Sequence, residues 1–170
     1  MDVWWELERG HSRRTPIAHF EQWVYAAPDL LREALGAAFI LELLEFDYRG
    51  ERATYELAHL IERIFDQLRP GELPRHTARN VAREYLAGDL PIDPVVATFL
   101  GLYDGRREWV PVDIVLIEYD FSWMPRQETP GAPSAELMAL EERLRVLCRE
   151  ILARLASTEP TSSSPLNRSR

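Results

Sequence analysis

Residues 51–69, ERATYELAHLIERIFDQLR, carry the clearest periodicity in the sequence and indicate its fold class. Apolar residues recur there at intervals of three and four positions, which is the spacing of one face of an α-helix. The apolar face consists of Leu57, Leu60, Ile61, Ile64 and Leu68. The opposite face carries Glu56, His59, Arg63 and Asp66. The stretch therefore predicts an amphipathic helix, which Pro70 and Gly71 end.

The same spacing predicts helices on both sides of this stretch. Capping side chains and prolines mark where several of them begin, and glycines mark where several end. The predicted helices are a Trp-rich one over 1–9 closed by Gly10, one from Pro16 capped by Thr15, one from Pro28 to Gly36, one over 38–47, one from Thr77 to Gly88, one from Asp93 to Gly105, and the longest from Ser134 to Leu155. The sequence therefore predicts a mainly α, compact multi-helix domain.

Residues 112–124 allow two interpretations. Apolar residues at 115, 117, 119, 121 and 123 alternate with polar ones over the second half, and this period of two is typical of a strand. In a helix the same residues would be apolar on nearly every side. The local pattern favours the strand, but a lone strand needs a partner for its backbone, and no second alternating run is equally convincing. A small β element near 112–124 therefore stays open within the mainly α prediction.

A chain of 170 residues is long enough for one domain with its own hydrophobic core. We expect a single helical domain over residues 1–156. Residues 125–133 form a proline-rich connector within it, ahead of the longest helix. The segment 157–170 is rich in Ser, Thr and Pro, has few residues to bury, and is expected to be a disordered tail.

The charge balance bears on the class of partner. Twenty arginines and no lysines stand against 28 acidic residues, for a net charge of −8. Such a chain repels phosphate backbones and attracts basic partners. The single cysteine fits a reducing compartment, the N-terminus has no signal-peptide pattern, and no apolar run is long enough to cross a bilayer. We therefore expect a soluble, cytoplasmic protein.

Motifs for catalysis and cofactor binding are weak. Cys148 lies beside the apolar seam of the longest helix, so a packing role is the better interpretation than a nucleophile activated by Arg149. The spacing Glu56-x-x-His59-x-x-Glu62 could supply part of a metal site, but a matching pair on a second helix is absent. Glycines are scattered singly, with no phosphate-binding loop. We predict no catalytic residues, no metal and no cofactor.

A basic series follows on a later helix. One face of this helix carries Arg75, Arg79 and Arg83, and Arg69 lies just before them. Such a face could bind phosphate groups. The net negative charge opposes that role. Pairing with neighbouring acids such as Glu72 and Glu84 is the interpretation we prefer.

The segment 104–123 mixes acids with aromatic residues. Charge speeds the encounter with a basic protein, and aromatic side chains supply anchors that are buried on binding. The candidate partner-binding residues are Glu108, Trp109, Asp113, Glu118 and Asp120. The alternative is that the aromatics belong to the core and the acids are merely solvated.

Two stretches carry a resemblance to a known family. The run Phe20-Glu21-Gln22-Trp23-Val24-Tyr25 is followed by Leu30-Leu31, Leu35-Gly36, Leu43-Leu44-Glu45-Phe46-Asp47-Tyr48-Arg49, Tyr55-Glu56-Leu57 and Leu60-Ile61. This pattern, over roughly residues 4–65, resembles a small helical bacterial family whose members are often immunity proteins of polymorphic toxin systems. The resemblance implies a non-enzymatic intracellular protein that neutralises a toxin by contact, with no catalytic residues to assign.

The leading hypothesis is therefore a protein-binding module that docks a basic toxin domain or another protein through the acidic, aromatic segment. One alternative is an enzyme whose carboxylate site is assembled from distant residues. A second is a nucleic-acid-binding accessory protein that uses Arg75, Arg79 and Arg83.

Overall fold

The computed structural model describes residues 2–105, 107–123 and 134–157, and within these ranges the chain forms nine α-helices and no strand. The helices are α1 (Val3–His11), α2 (Ile17–Ala26), α3 (Pro28–Leu35), α4 (Ala37–Leu44), α5 (Ala53–Leu68), α6 (Leu73–Ala87), α7 (Ile92–Asp104), α8 (Asp113–Trp123) and α9 (Ala135–Ser157). The mainly α prediction is confirmed. None of the helices in the described ranges has the length and apolar character that crossing a membrane requires.

The helices group into two compact units, over residues 1–81 and 82–170. In the first unit, α1 packs against α5, and α3 packs against α4. The apolar seam predicted for 51–69 is buried in α5 from Leu57 to Ile64, whereas Leu68 is 41% exposed. The largest fully buried side chains of this unit are Leu7, Phe20, Leu31, Leu43, Ile61, Ile64 and Phe65.

A buried charge lies inside this unit. Glu8 is fully buried in α1, and its Oε2 atom accepts hydrogen bonds from Arg14 and from Asn80 of α6. Arg13 has a φ of 59°, and this left-handed residue lets the chain turn back so that Arg14 reaches Glu8. These two donors at Oε2 offset part of the cost of burying the carboxylate, whose Oε1 atom is buried without a hydrogen bond.

Gly10 lies inside α1 and does not end it, contrary to the sequence prediction. The helix continues to His11 and closes at Ser12, whose N–H donates to the Glu8 carbonyl. A Cβ atom at position 10 would lie 2.6 and 2.7 Å from two ring carbons of Phe20. The glycine therefore serves the close approach of a buried phenylalanine to the helix.

In the second unit, α8 packs against both α7 and α9. Its core is formed largely by Val95, Val96, Phe99, Val110, Ile114, Ile117, Leu140, Leu144, Leu147, Cys148, Ile151 and Leu155. Asp120 of α8 accepts a hydrogen bond from Arg143 of α9 at 2.5 Å, and Tyr85 donates its hydroxyl to the Glu141 carbonyl at 3.4 Å. The apolar seam predicted for the longest helix is buried from Leu140 to Leu155, whereas its first residue, Leu137, is half-buried.

The strand considered for 112–124 is wrong, because residues 113–123 form α8. Pro111 and Val112 provide the carbonyl groups that accept the N–H groups of Ile114 and Val115 as the helix begins. Ile114 and Ile117 are buried together. In a strand they would point to opposite faces, whereas three positions apart in a helix they share one face.

Helix starts were predicted with mixed success. Pro28 opens α3, Gly36 follows its end with a φ of 82°, and Ser134 accepts the Leu137 N–H as a cap of α9. Thr15 does not cap α2, which begins at Ile17 without a side-chain cap, and Thr77 lies within α6. The Thr77 hydroxyl donates to the Leu73 carbonyl inside that helix.

The single domain expected over residues 1–156 stays a prediction beside the two compact units. The connector at 125–133 and the tail beyond Ser157 lie outside the described residues.

Candidate functional site

The outer face of α8 carries a line of exposed apolar side chains, here called the α8 stripe. It consists of Val112, the residue just before the helix, and of Leu116, Tyr119 and Trp123, and these side chains are 60%, 56%, 60% and 75% exposed. Their spacing of four, three and four positions places them along one side of the helix, while Ile114 and Ile117 bury the other side. The rings of Tyr119 and Trp123 lie 6.1 Å apart, centroid to centroid. This is aromatic surface of the kind that binding interfaces bury.

Carboxylates border the α8 stripe. Asp113 and Asp120 are two turns apart, so they lie on the same flank of the stripe. Asp113 is exposed and Asp120 half-buried, and the latter is held by Arg143. Glu118 lies toward the other flank, where its Oε1 accepts the Ser122 hydroxyl at 2.7 Å. An apolar line with acids on both sides results.

A cleft adjoins the first residue of the stripe and is here called the α7–α8 cleft. It is open, with a volume of about 620 Å³. Its lining residues are Tyr103, Asp104, Arg107, Glu108, Val110, Pro111, Val112, Asp113 and Arg154. The lining holds three carboxylates and two guanidinium groups, so the cleft suits charged side chains of a partner.

The structure places four of the five predicted partner-binding residues on this surface. Glu108 and Asp113 line the α7–α8 cleft, and Asp113 also begins the acidic flank that Asp120 continues. Glu118 lies on the other flank, and Trp109 is half-buried. The sequence analysis missed Leu116 and Val112, although their spacing to Tyr119 and Trp123 matches one helical face.

Two arginines of the basic series, Arg75 of α6 and Arg69 just before it, have partners inside the protein. Arg75 lies 3.8 Å from Glu72, as the sequence predicts, and Arg79 is only half-exposed. Arg69 stacks over the Trp4 ring at 4.4 Å. Arg83 is exposed. Arginines that already interact within the protein are less available to bind phosphate groups, so these contacts argue against a phosphate-binding face.

The Glu56-x-x-His59-x-x-Glu62 spacing lies on α5 beside a second open cleft of about 550 Å³. His59 Nδ1 is 3.4 Å from Glu62, and the Tyr55 ring packs edge-on against the imidazole at 4.3 Å. Arg63 donates to Glu42 on the facing helix α4. Across the part of the chain that the structure describes, no three His, Cys, Asp or Glu side chains converge well enough to hold a metal ion.

Cys148 is a packing residue. Its side chain is fully buried in α9, and burial raises the pKa of the thiol to about 12, while Arg149 acts in the opposite direction. A thiol with so high a pKa is protonated at neutral pH and is a poor nucleophile. The packing interpretation of Cys148 is confirmed.

Comparisons of the chain with models of protein families, with curated proteins and with solved structures find no significant match.

Proposed function

We propose that this chain is a non-enzymatic protein-binding module, an immunity protein of bacterial type that neutralises a cognate toxin by direct contact. The observation that carries the proposal is the combination of exposed aromatics and carboxylates on one face. Tyr119 and Trp123 are both more than half exposed, and Asp113, Asp120 and Glu118 lie beside them. The resemblance of residues 4–65 to immunity proteins supports the same function.

The physical chemistry of this face suits a protein partner. Aromatic side chains bury a large area for few rotatable bonds, and Trp and Tyr are enriched among residues that dominate binding energy. Carboxylates around them steer a positively charged partner during encounter and reject negatively charged ones. With a net charge of −8, the whole chain adds to that long-range attraction.

The partner we infer is a basic toxin domain. Glu108 and Asp113 in the α7–α8 cleft would receive its Arg or Lys side chains. Trp109, the half-buried residue that follows Glu108, would contribute apolar surface. An immunity protein needs no catalytic group, because occupying the toxin's working surface is sufficient.

The test is protection of growing cells. The protein encoded beside this chain's own reading frame is expressed as the candidate toxin, together with the chain or with its charge-reversed variant Asp113→Lys, Glu118→Lys, Asp120→Lys. We expect the chain to restore growth and the variant to protect poorly. With purified proteins, affinity for the toxin should fall by about one to two orders of magnitude, with a weaker dependence on salt.

A matched variant separates local from overall charge. Glu33→Lys, Glu51→Lys, Asp66→Lys reverses three exposed acids in the first unit and changes the net charge equally. It should protect like the original chain. Failure of the original chain to protect would refute the proposed function, and equal protection by both triple variants would remove the assigned surface.

A further inference from the structure

The α8 stripe has the geometry of a seam for a second helix. Its four residues span 11 positions, which is about 16 Å of helix axis or three turns. Apolar residues at i, i+4, i+7 and i+11 are the pattern by which one helix lies along another. The buried side of α8 already packs against α7 and α9, so the stripe is additional to the contacts of the core.

The exposed apolar side chains of the α8 stripe are unusual for a helix side that contacts only solvent. A solvent-facing helix side normally carries polar residues, whereas this one carries four apolar or aromatic side chains in a row. Contiguous apolar patches bordered by polar residues mark interaction sites. The patch is therefore a docking surface, and the bordering charges indicate the partner.

Those charges select a basic occupant. Asp113 and Asp120 line one flank two turns apart, with Asp120 already paired with Arg143, and Glu118 lies toward the other flank. In a second copy of this chain lying on the stripe, the same carboxylates would face one another, which is unfavourable. An anionic lipid surface would be repelled for the same reason. Lys or Arg side chains beside an apolar face would be attracted.

We propose that α8 binds an amphipathic helix of its partner, with apolar residues seated on the α8 stripe and basic residues facing Asp113 and Asp120. This inference rests on the proposed function and specifies the partner's binding element. The partner helix needs at least three turns, and its basic residues should recur two turns apart to match the two aspartates.

The test uses two synthetic helical peptides of about five turns, 18 residues each. Both carry Leu and Ile along one face, and they differ only in having Lys or Glu at the flanking positions. Binding to the full chain is measured by fluorescence anisotropy of a labelled peptide. The basic peptide should bind about tenfold more tightly than the acidic one at low salt, and the difference should shrink as salt is added.

Variants locate the binding. Leu116→Glu, Tyr119→Glu should lose the basic peptide, whereas Leu41→Glu, Tyr55→Glu should retain it, because these side chains of the first unit are similarly exposed at 54% and 57%. Asp113→Lys, Asp120→Lys should reverse the preference between the peptides. Circular dichroism of each variant confirms that it is folded.

Four outcomes would overturn the inference. The first is equal affinity for the two peptides, and the second is binding of the basic peptide by the variant Leu116→Glu, Tyr119→Glu. The third is sedimentation of the chain as a dimer that this variant dissociates. The fourth is flotation of the chain with phosphatidylcholine–phosphatidylserine vesicles, if this variant abolishes it. Protection from the toxin that survives Leu116→Glu, Tyr119→Glu would leave the proposed function standing and refute this inference alone. Peptide binding without protection from the toxin would refute the proposed function instead.

Discussion

Gly10 shows how the role of a single residue can be misjudged from local sequence, since it was predicted to end the first helix and lies inside it. Glycine near a helix end usually indicates a terminator, because its backbone reaches conformations closed to other residues. Here its value is the missing side chain, since Phe20 occupies the space where a Cβ would lie. Only the tertiary contact between α1 and Phe20 reveals this, and local sequence does not contain it.

Replacing Gly10 by alanine should lower the free energy of unfolding. The added methyl group would lie 2.6 Å from the fully buried Phe20 ring and 3.2 Å from Ile61 Cδ1. Overpacking of this kind costs about 1–3 kcal/mol, which outweighs the gain in helix propensity of about 1 kcal/mol or less. Urea unfolding of Gly10→Ala checks the sign.

Gly101→Ala is the matched control. Gly101 lies inside α7, and a Cβ there would meet nothing within 4 Å. The same substitution should therefore stabilise the protein by up to about 1 kcal/mol. A gain in stability at both positions would contradict the packing role of Gly10.

At the scale of the element, α8 shows where hydrophobic periodicity fails to predict secondary structure. Periodicity finds helices such as α5 and α9, where the buried apolar residues recur every three or four positions. On α8 the core residues Ile114 and Ile117 and the exposed residues Leu116 and Tyr119 are all apolar, so the helical period is hidden. The alternation over the second half then favours a strand that does not form. The sequence names the apolar residues but not which of them the fold leaves exposed.

The candidate site was predictable to a similar degree. The acids at 108, 113, 118 and 120 were found because charge can be read directly from the sequence. The α8 stripe required knowledge that 113–123 is helical. Arg154, which joins Asp104 and Asp113 in lining the α7–α8 cleft, comes from a helix far along the chain, so no local pattern could place it there.

Alanine substitutions should separate the two faces of α8. Ile114→Ala and Ile117→Ala remove fully buried side chains and should each cost about 2–5 kcal/mol of unfolding free energy. Leu116→Ala removes an exposed side chain and should change it by about 0.5 kcal/mol or less. Chemical unfolding gives all three values. If the substitutions at 114 and 116 lowered the unfolding free energy equally and the one at 117 hardly changed it, the burial would alternate as in a strand. That result would contradict the helix.

At the scale of the whole molecule, two histidines should make stability depend on pH. Burial is the main cause that lowers the pKa of His11 and of His76 below 6.5, with Glu62 opposing it at His11 and Arg79 reinforcing it at His76. The fold therefore favours the neutral imidazoles. Below about pH 6.5 the unfolded chain binds protons that the folded chain resists, so the free energy of unfolding should fall as the pH is lowered.

The measurement is urea unfolding at several pH values between about 8 and 5. In the double variant His11→Gln, His76→Gln, the free energy of unfolding should fall less steeply as the pH is lowered, whatever its value at neutral pH. A decline as steep as that of the unsubstituted chain would show that other groups cause the pH dependence.

The bond between Glu8 and Asn80 has a consequence for synthesis on the ribosome. The two residues are 72 positions apart, and the carboxylate is fully buried. While α6 is still unmade, a growing chain that closed α1 onto α5 would enclose a negative charge lacking one of its donors. The amino-terminal unit should thus gain its full cooperativity only after residue 80 has emerged, and shorter nascent chains should remain accessible to chaperones and proteases.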